Sequence, residues 1–319
     1  MRSTPLPVLD LSALERPGAS LRALDEICAD WGAFHLVGHG VSAADREAAL
    51  AAMRDFFSLP EAQKRAIERT QGNPWGWFDR ELTKNRRDWK EIWDFGPPSD
   101  RGPLAGASPQ FPAALPEFRL VMQRWFEACH AVALRVLDVL ARALGEDPET
   151  LRASFAPQHT SFLRLNFYPP CPSPAPHDLA LDAEGHLGIR HHTDSGALTI
   201  LLHDDEPGLQ LLHGGEWTLV RPIDGAFVVN LGDVAQVWSN DRWRAPLHRV
   251  IANADRVRFS APYFLNPGPD ATYAPLASQC GALRPPRYRP IAWSEFRARR
   301  AAGDFADLGS EVQIADWRI

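Results

Sequence analysis

The sequence has little of what marks secreted and thiolate-metal proteins, because cysteine is scarce. Its 319 residues contain four cysteines that lie far apart: Cys28, Cys129, Cys171 and Cys280. The absence of CxxC spacing argues against a thiolate zinc site, and the low number argues against a disulfide framework. We therefore expect reduced thiols and a cytoplasmic location.

Long apolar runs and an excess of basic charge are also missing. The longest apolar stretch of helical character, HAVALRVLDVLARALG, is interrupted by Arg135, Asp138 and Arg142, which predicts that it does not span a bilayer. The N-terminus, MRSTPLPVLDLS, has prolines and an aspartate where a signal peptide needs an apolar segment. The formal net charge of −6 argues against a nucleic-acid partner. We therefore expect neither a membrane nor a nucleic acid as partner.

The composition that is present is typical of a globular protein with a substantial core. Hydrophobic residues make up 45% of the chain and charged residues 23%. Helices are predicted over residues 20–31 and from about Ser42 to Pro60. A longer helix is predicted to begin near Pro116, with Gly145 just past its end.

The middle and C-terminal parts of the sequence differ in pattern. Residues 71–112 are rich in Trp, Gly and Pro and are predicted to be irregular. From Ser161 onward, short apolar runs separated by turn residues indicate the many short strands of a sandwich or barrel. The tail IAWSEFRARRAA predicts one more helix. We divide the chain into an N-terminal α/β extension (1–115), a long central helix with its connection (116–158), a β core (159–270) and a helical tail (271–319).

The segment GIRHHTDSGALTIL contains the first candidate metal ligands. In a strand, residues i and i+2 share a face, so His192 and Asp194 point together and His191 points away. An imidazole and a carboxylate without a thiolate favour iron, zinc or manganese. A His-x-Asp pair by itself more often contains an ordinary surface histidine than a metal ligand, so a third ligand is needed.

The third ligand has to come from a histidine later in the chain. His203 and His213 lie in the turn-like stretches HDDEPG and HGGE, where we expect them to face solvent. His248 lies in APLHRVIA, a strand pattern in which it shares a face with Val250. Such a histidine is either a hydrogen-bonded core group or a metal ligand, and its position alone favours neither.

Several longer stretches resemble the plant-type, isopenicillin-synthase-like family of non-haem iron, 2-oxoglutarate-dependent dioxygenases. The stretch HTDSGALTILLHDDEPGLQLL resembles the family's metal strand, and NLGDVAQVWSNDRWRAPLHRV resembles its second ligand segment. The stretch RVRFSAPYFLNP resembles its Arg-x-Ser segment. Its N-terminal region and central strand resemble LPVLDLS, WGAFHLVGHGV, FFSLPEAQK and RLNFYPPCP. The resemblance covers most of the chain. It implies an α+β, mainly β fold: a double-stranded β-helix (jelly roll, cupin-like) core with an N-terminal helical extension and a long central helix.

The resemblance also implies a chemistry. His192, Asp194 and His248 would bind Fe(II) as a 2-His-1-carboxylate triad and leave adjacent positions for 2-oxoglutarate and O2. The co-substrate would give succinate and CO2 while a small organic metabolite is hydroxylated, desaturated or cyclised, with ascorbate as a candidate stimulant. The enzyme would act on a small molecule as a monomer.

Two pairs of residues are candidates for binding 2-oxoglutarate. Arg258 and Ser260 share a face of one strand, and a guanidinium beside a hydroxyl suits a carboxylate. The alternating pattern alone favours a solvent-facing Arg258, whereas the resemblance implies that this pair binds the far carboxylate of the co-substrate. Asn166 and Tyr168 in LNFY also share a face, and the resemblance implies that they line the same pocket. Tyr168 fits an ordinary half-buried strand position as well.

The sequence is less informative about the substrate pocket. The segment NPWGWFDRELTKNRRDWKEIWDFG combines tryptophans with basic residues, which fits the wall of a site for a planar or anionic substrate. Packing in the core is the alternative role for such tryptophans. The candidate substrate contacts are Trp75, Trp77, Trp238 and Phe264.

Other functions remain open at this point. An Fe(II) oxidase of the same superfamily would act without 2-oxoglutarate, and the Arg-x-Ser pair would then bind a substrate carboxylate. A non-catalytic jelly-roll binding protein would hold a structural metal or none. A zinc hydrolase would need a general base, and no recognisable motif supplies one.

Overall fold

The structure is a computed structural model and describes residues 5–98, 105–176, 185–302 and 312–319. Its α-helices are α1 (Leu11–Leu14), α2 (Arg22–Asp30), α3 (Ala43–Phe57), α4 (Glu61–Arg65), α5 (Phe118–Ala143), α6 (Pro148–Arg152), α7 (Asp233–Trp238) and α8 (Trp293–Ala302). Its strands are β1 (Val8–Asp10), β2 (Ala33–Val37), β3 (Gly76–Phe78), β4 (Leu82–Thr83), β5 (Arg86–Arg87), β6 (Glu91–Phe95), β7 (Phe162–Tyr168), β8 (Leu187–His192), β9 (Leu198–His203), β10 (Leu209–His213), β11 (Glu216–Leu219), β12 (Phe227–Leu231), β13 (His248–Ile251), β14 (Arg258–Leu265), β15 (Thr272–Tyr273) and β16 (Ile291–Ala292).

Local sequence signals position the main helices. Ser42 caps α3 by accepting a hydrogen bond from the backbone N–H of Asp45. α5 buries one apolar stripe, and Gly145 follows it with a φ of 76°, a conformation that favours glycine. The helices predicted from the sequence are therefore confirmed. In the part of the chain that the structure describes, no helix is long and apolar enough to cross a membrane.

Two sheets form the β core. The larger sheet has the strand order β1-β2-β12-β9-β14-β7-β6-β3, and all its pairs are antiparallel except β1 with β2. The smaller, antiparallel sheet has the order β11-β10-β13-β8. One cavity is lined by side chains from both sheets. This arrangement is the predicted jelly roll.

The long helix α5 covers the face of the larger sheet that is turned away from the cavity. α5 packs against β9 and β14, and α3 packs against α5. Alternation along β9 separates the two faces: Ile200 belongs to the apolar cluster under α5, whereas Thr199 and Leu201 line the cavity. The core therefore supports the strands from behind and leaves their inner face for a site.

The prediction that residues 71–112 are irregular is wrong. β3 and β6 extend the larger sheet, with Trp77 directly opposite Trp93. β4 and β5 form a hairpin whose turn residues, Lys84 and Asn85, have positive φ. Because β3 and β6 are buried on both faces, they lack the apolar–polar alternation by which a strand is recognised.

Candidate active site

Three candidate metal ligands converge at the ends of two paired strands. His192 is the last residue of β8 and His248 the first of β13, and the two lie directly opposite each other. Asp194 lies in the segment that joins β8 to β9. One donor atom from each of the three side chains lies within 4.8 Å of the other two. Strand pairing therefore brings together ligands that are far apart in the sequence.

The backbone fixes the orientation of both imidazoles. Nδ1 of His192 lies 2.8 Å from the carbonyl oxygen of Arg190, and Nδ1 of His248 lies 3.1 Å from that of Pro246. Each Nδ1 therefore donates a hydrogen bond, which leaves the Nε2 lone pair for a metal. The distances from Nε2 to Oδ1 of Asp194 are 3.8 Å for His192 and 3.6 Å for His248.

Asp194 presents one carboxylate oxygen to the histidines and has the other held by hydrogen bonds. Its Oδ2 accepts from the Thr199 hydroxyl and, at 2.8 Å, from Nδ2 of Asn230. Burial raises the pKa of this carboxyl. Both histidines and both hydrogen bonds lower that pKa by more than burial raises it, so the net pKa lies below the usual value. The carboxylate is therefore ionised, as a metal ligand must be.

The donor set fits Fe(II). Burial, together with the neighbouring His248, lowers the pKa of His192 to about 3, so this imidazole is neutral at physiological pH. Two imidazoles and a carboxylate without a thiolate are the ligands of non-haem Fe(II) oxygenases. The donor cluster contains His192 and not its neighbour His191.

The donor cluster lies in a cavity of about 360 Å³. The smaller sheet lines it with apolar side chains such as Ile189 and Val250, and the larger sheet contributes polar side chains such as Arg258 and Ser260. An apolar wall that faces a set of convergent polar groups is typical of a site for small molecules.

Arg258 is buried in this cavity and does not face solvent. Only 4% of the residue is exposed, and its Nε donates to the carbonyl oxygen of Glu206 at 3.2 Å. Its Nη1 is enclosed without a hydrogen-bond partner among the described residues. Gly208 makes room for this side chain, since a Cβ there would lie 2.8 Å from Cδ of Arg258. A buried guanidinium nitrogen without an acceptor fits an anionic ligand.

The other predicted co-substrate residues surround Arg258. Cross-strand pairing places Ser260 opposite Asn166 and Arg258 opposite Tyr168. Nδ2 of Asn166 donates to the Ser260 hydroxyl at 3.4 Å, and the Arg258 guanidinium lies 5.0 Å from the centre of the Tyr168 ring. All four side chains line the same cavity as the metal ligands.

The predicted substrate contacts are only partly brought to the cavity. Phe264 lines it and stacks on Phe162, with ring centroids 4.6 Å apart. Trp75, Trp77 and Trp238 are buried in the core and are not among the described lining residues, which corrects their assignment. The sequence pattern could not separate these roles, because a tryptophan that packs the core and one that lines a pocket are both apolar.

The prediction that His203 and His213 lie in solvent-facing turns is also wrong. They are the last residues of β9 and β10. Burial lowers the pKa of His203 to about 4, and the ring of His213 stacks on Trp31 at a centroid distance of 3.7 Å. Turn residues follow each histidine directly, so the sequence pattern predicted that the turn begins before the strand has ended.

Sequence reasoning missed most of the charged cavity wall. Three arginines of α8 line the cavity: Arg297, Arg299 and Arg300. Arg164 of β7 and Lys90, which directly precedes β6, line it as well. The basic residues of the C-terminal tail were a visible signal, but nothing in the sequence placed that helix beside the metal strand.

Comparison with known proteins assigns the chain to a family. The model of the 2OG-Fe(II) oxygenase superfamily matches residues 159–267, and that of the non-haem dioxygenase in morphine synthesis N-terminal region matches residues 6–117. Gibberellin 20 oxidase 2 of Oryza sativa subsp. indica is 36% identical over 292 residues, which cover 90% of this chain and 71% of the relative. The chain belongs to the 2-oxoglutarate- and Fe(II)-dependent oxygenase superfamily.

Two further relatives agree with this assignment. Naringenin,2-oxoglutarate 3-dioxygenase of Matthiola incana is 31% identical over 310 residues, covering 95% of this oxygenase and 83% of the relative. A crystal structure of JOX2 in complex with 2OG, Fe and JA has a TM-score of 0.80 and 30% identity, covering 92% of this chain and 84% of that one. The predicted family, jelly-roll fold and cofactors Fe(II) and 2-oxoglutarate are confirmed. This oxygenase is a non-haem Fe(II)- and 2-oxoglutarate-dependent dioxygenase.

Proposed function

We propose that His192, Asp194 and His248 bind the iron and that Arg258 and Ser260 bind the far carboxylate of 2-oxoglutarate. The observation that carries the second assignment is the buried Nη1 of Arg258, which has no acceptor among the described residues although it lines the same cavity as the triad. A planar guanidinium with an adjacent hydroxyl matches both oxygens of a carboxylate.

The bound iron and co-substrate supply the oxidation, in which 2-oxoglutarate and O2 are consumed, succinate and CO2 are released and a C–H bond of the substrate is oxidised. The chain's own residues hold the ligands in place for this reaction. The backbone carbonyls at Nδ1 of both histidines keep Nε2 pointing to the metal. Thr199 and Asn230 hold one oxygen of Asp194, so the other oxygen stays directed at the histidines.

The remaining cavity-lining residues exclude water and orient the substrate. Tyr168 and Asn166 complete the polar surroundings of Arg258, and Phe264 with Phe162 forms an aromatic surface in the same cavity. We propose a small organic metabolite as the substrate, because the cavity volume of about 360 Å³ is near the lower end of the range for small-molecule sites. We also propose that the enzyme is a cytoplasmic monomer. The four unpaired cysteines support the cytoplasmic location, where thiols stay reduced.

A succinate-release assay with Fe(II) and 2-oxoglutarate tests this function. We expect succinate to form in equal amount to the oxidised product, and both to disappear when 2-oxoglutarate is omitted. Oxygen uptake and substrate oxidation without succinate would show instead an oxidase in which Arg258 binds a substrate carboxylate.

A further inference from the structure

His203 lies on the face of the larger sheet that carries the co-substrate residues. It is the last residue of β9 and pairs with Ser260 of β14, which in turn pairs with Asn166 of β7. Side chains that lie directly opposite each other in antiparallel strands project from the same face of the sheet. Because Ser260 and Asn166 line the cavity, the side chain of His203 lies on the cavity side of the sheet as well.

Arg258 is a diagonal neighbour of His203 on this face. It precedes Ser260 by two positions on β14, and residues in such diagonal positions of neighbouring strands lie about 7–8 Å apart. Burial lowers the pKa of His203 to about 4, and the positive charge of Arg258 contributes to this shift. The guanidinium that we assign to the co-substrate therefore also acts on the imidazole.

One nitrogen of the His203 ring has no partner. Nδ1 lies 2.8 Å from the carbonyl oxygen of Asp204 and therefore donates a hydrogen bond. Nε2 is enclosed and has no hydrogen-bond partner among the described residues, and the same holds for Nη1 of Arg258. With the proton on Nδ1, Nε2 of the neutral ring carries a lone pair. An enclosed nitrogen that can accept a proton is thus located beside the buried guanidinium.

The other titratable groups around His203 have smaller electrostatic effects than Arg258. His35 on β2 is neutral, because burial lowers its pKa as well. The carboxylate of Asp204 is held by the backbone N–H groups of Glu206 and Phe259, and Asp205 has only a small effect on the ring. The charge that most opposes protonation of His203 is therefore the one that the far carboxylate of 2-oxoglutarate would neutralise.

We propose that His203 takes up a proton at Nε2 when the far carboxylate of 2-oxoglutarate binds to Arg258 and Ser260. This proposal rests on the proposed dioxygenase function and adds a residue to its co-substrate site. The proton comes from the solvent and binds to the Nε2 lone pair. His203 is not among the described residues that line the cavity, so it acts through its charge and not by contact with the co-substrate. The resulting imidazolium attracts the bound carboxylate.

Linkage between the two events fixes the direction of a pH effect. The pKa of His203 is about 4 without the co-substrate and higher in the complex, so the protein takes up protons on binding at pH values between the two. The affinity for 2-oxoglutarate therefore rises as the pH falls through this interval, by at most about tenfold for each pH unit. At pH 8 the imidazole is neutral in both states and contributes no charge.

Anaerobic titration calorimetry of 2-oxoglutarate into the intact protein at saturating Fe(II) measures affinity and proton uptake together. At pH 6 the titration is run in two buffers with different enthalpies of ionisation, because the difference in binding heat counts the protons that the buffer gives up. We expect the wild type to take up several tenths of a proton more than His203→Gln, and its advantage in affinity over that variant to grow about two- to fourfold from pH 8 to pH 6. His213→Gln changes a histidine that also ends a strand but stacks on Trp31, and this matched control should keep the wild-type uptake.

Binding to the wild type without proton uptake at pH 6 would overturn the proposal, whatever the variants do. Uptake that persists unchanged in His203→Gln would assign the proton to another group and overturn it as well. Affinity that falls in His203→Gln by the same factor at pH 6 and pH 8 would show a structural role only. In these three cases 2-oxoglutarate still binds to the wild type, and the dioxygenase function stands. If 2-oxoglutarate does not bind to the wild-type Fe(II) protein at either pH, the proposed function itself fails.

Discussion

The two ends of the cavity are built in different ways. The metal end, which consists of His192, Asp194, His248, Arg258 and Ser260, lies on or beside paired strands whose side chains alternate between two faces. The outer wall, which consists of Phe162, Phe264, Arg297 and Arg300, combines strands of the larger sheet with a helix from the C-terminal part of the chain.

The difference teaches which part of an enzyme of this fold is fixed by local geometry. At the metal end, hydrogen bonds orient every ligand. Each histidine donates from Nδ1 to a backbone carbonyl oxygen, and Asp194 accepts from Thr199 and Asn230. At the outer wall, long arginine side chains act at the ends of several rotatable bonds. The metal end therefore determines the reaction, and we expect the outer wall to determine the substrate.

The largest effect should follow removal of a metal ligand. His192→Ala, Asp194→Ala and His248→Ala should each lower iron content and abolish succinate formation, by more than the roughly 10- to 100-fold that changes to groups supporting a metal ligand cost. Iron bound per protein chain and succinate release are the measurements. His191→Ala is the matched control and should retain iron. Iron loss in His191→Ala with retention in His192→Ala would contradict the strand register.

A smaller effect should follow loss of the buried guanidinium at the metal end. Arg258→Ala should raise the KM for 2-oxoglutarate by about 10- to 100-fold, because hydrogen bonds to a charged group contribute about 1.5–3 kcal/mol. Gly208→Ala should act in the same direction, since its Cβ would displace the Arg258 side chain. Steady-state kinetics with varied 2-oxoglutarate measure both variants, with iron content as the control. Normal 2-oxoglutarate saturation in Arg258→Ala would exclude its role in co-substrate binding.

The same contrast explains how much could be predicted from the sequence. Period-two alternation and the family resemblance identified His192 over His191, the pairing of Arg258 with Ser260, and the jelly roll itself. Alternation could not find β3 and β6, because both are buried on both faces. It also could not place Arg297, because a helix far along the chain reaches the cavity only through tertiary packing. The assignment of Trp75 and Trp77 to the pocket failed because the sequence shows that these side chains are apolar but not what they contact.

Arg300 connects the two ends of the cavity and allows their independence to be tested. Its Nη2 donates at 2.9 Å to the carbonyl oxygen of Thr193, which lies between the ligands His192 and Asp194 in the sequence. Arg300→Ala should weaken iron binding by a few-fold, because it removes a hydrogen bond to the segment between two ligands but removes no ligand itself. Arg299→Ala, on the same helix but paired with Glu295, is the control for iron titration. Equal iron affinity in both variants would show that α8 leaves the metal end unaffected.

The smallest effect on turnover should come from Asp88, although its effect on stability should depend on pH. Its fully buried carboxyl accepts from the Thr83 hydroxyl at 2.8 Å and from the backbone N–H of Arg190, in the metal strand, at 3.3 Å. Burial raises its pKa from 3.8 to about 7. Because the folded protein holds this proton more tightly than the unfolded chain, Asp88 contributes stability below its unfolded pKa and loses that contribution as the pH rises towards 7.

Asp88→Asn removes the titrating group while keeping the size of the side chain. Between about pH 4 and pH 7, the free energy of unfolding of the wild type should fall relative to that of the variant, by up to about 1.4 kcal/mol for each pH unit. Urea unfolding of both metal-free proteins across this range measures the difference. Parallel pH profiles would show that Asp88 is already ionised in the folded protein. In that case Lys90, whose Nζ lies 3.6 Å away, would balance its charge at neutral pH.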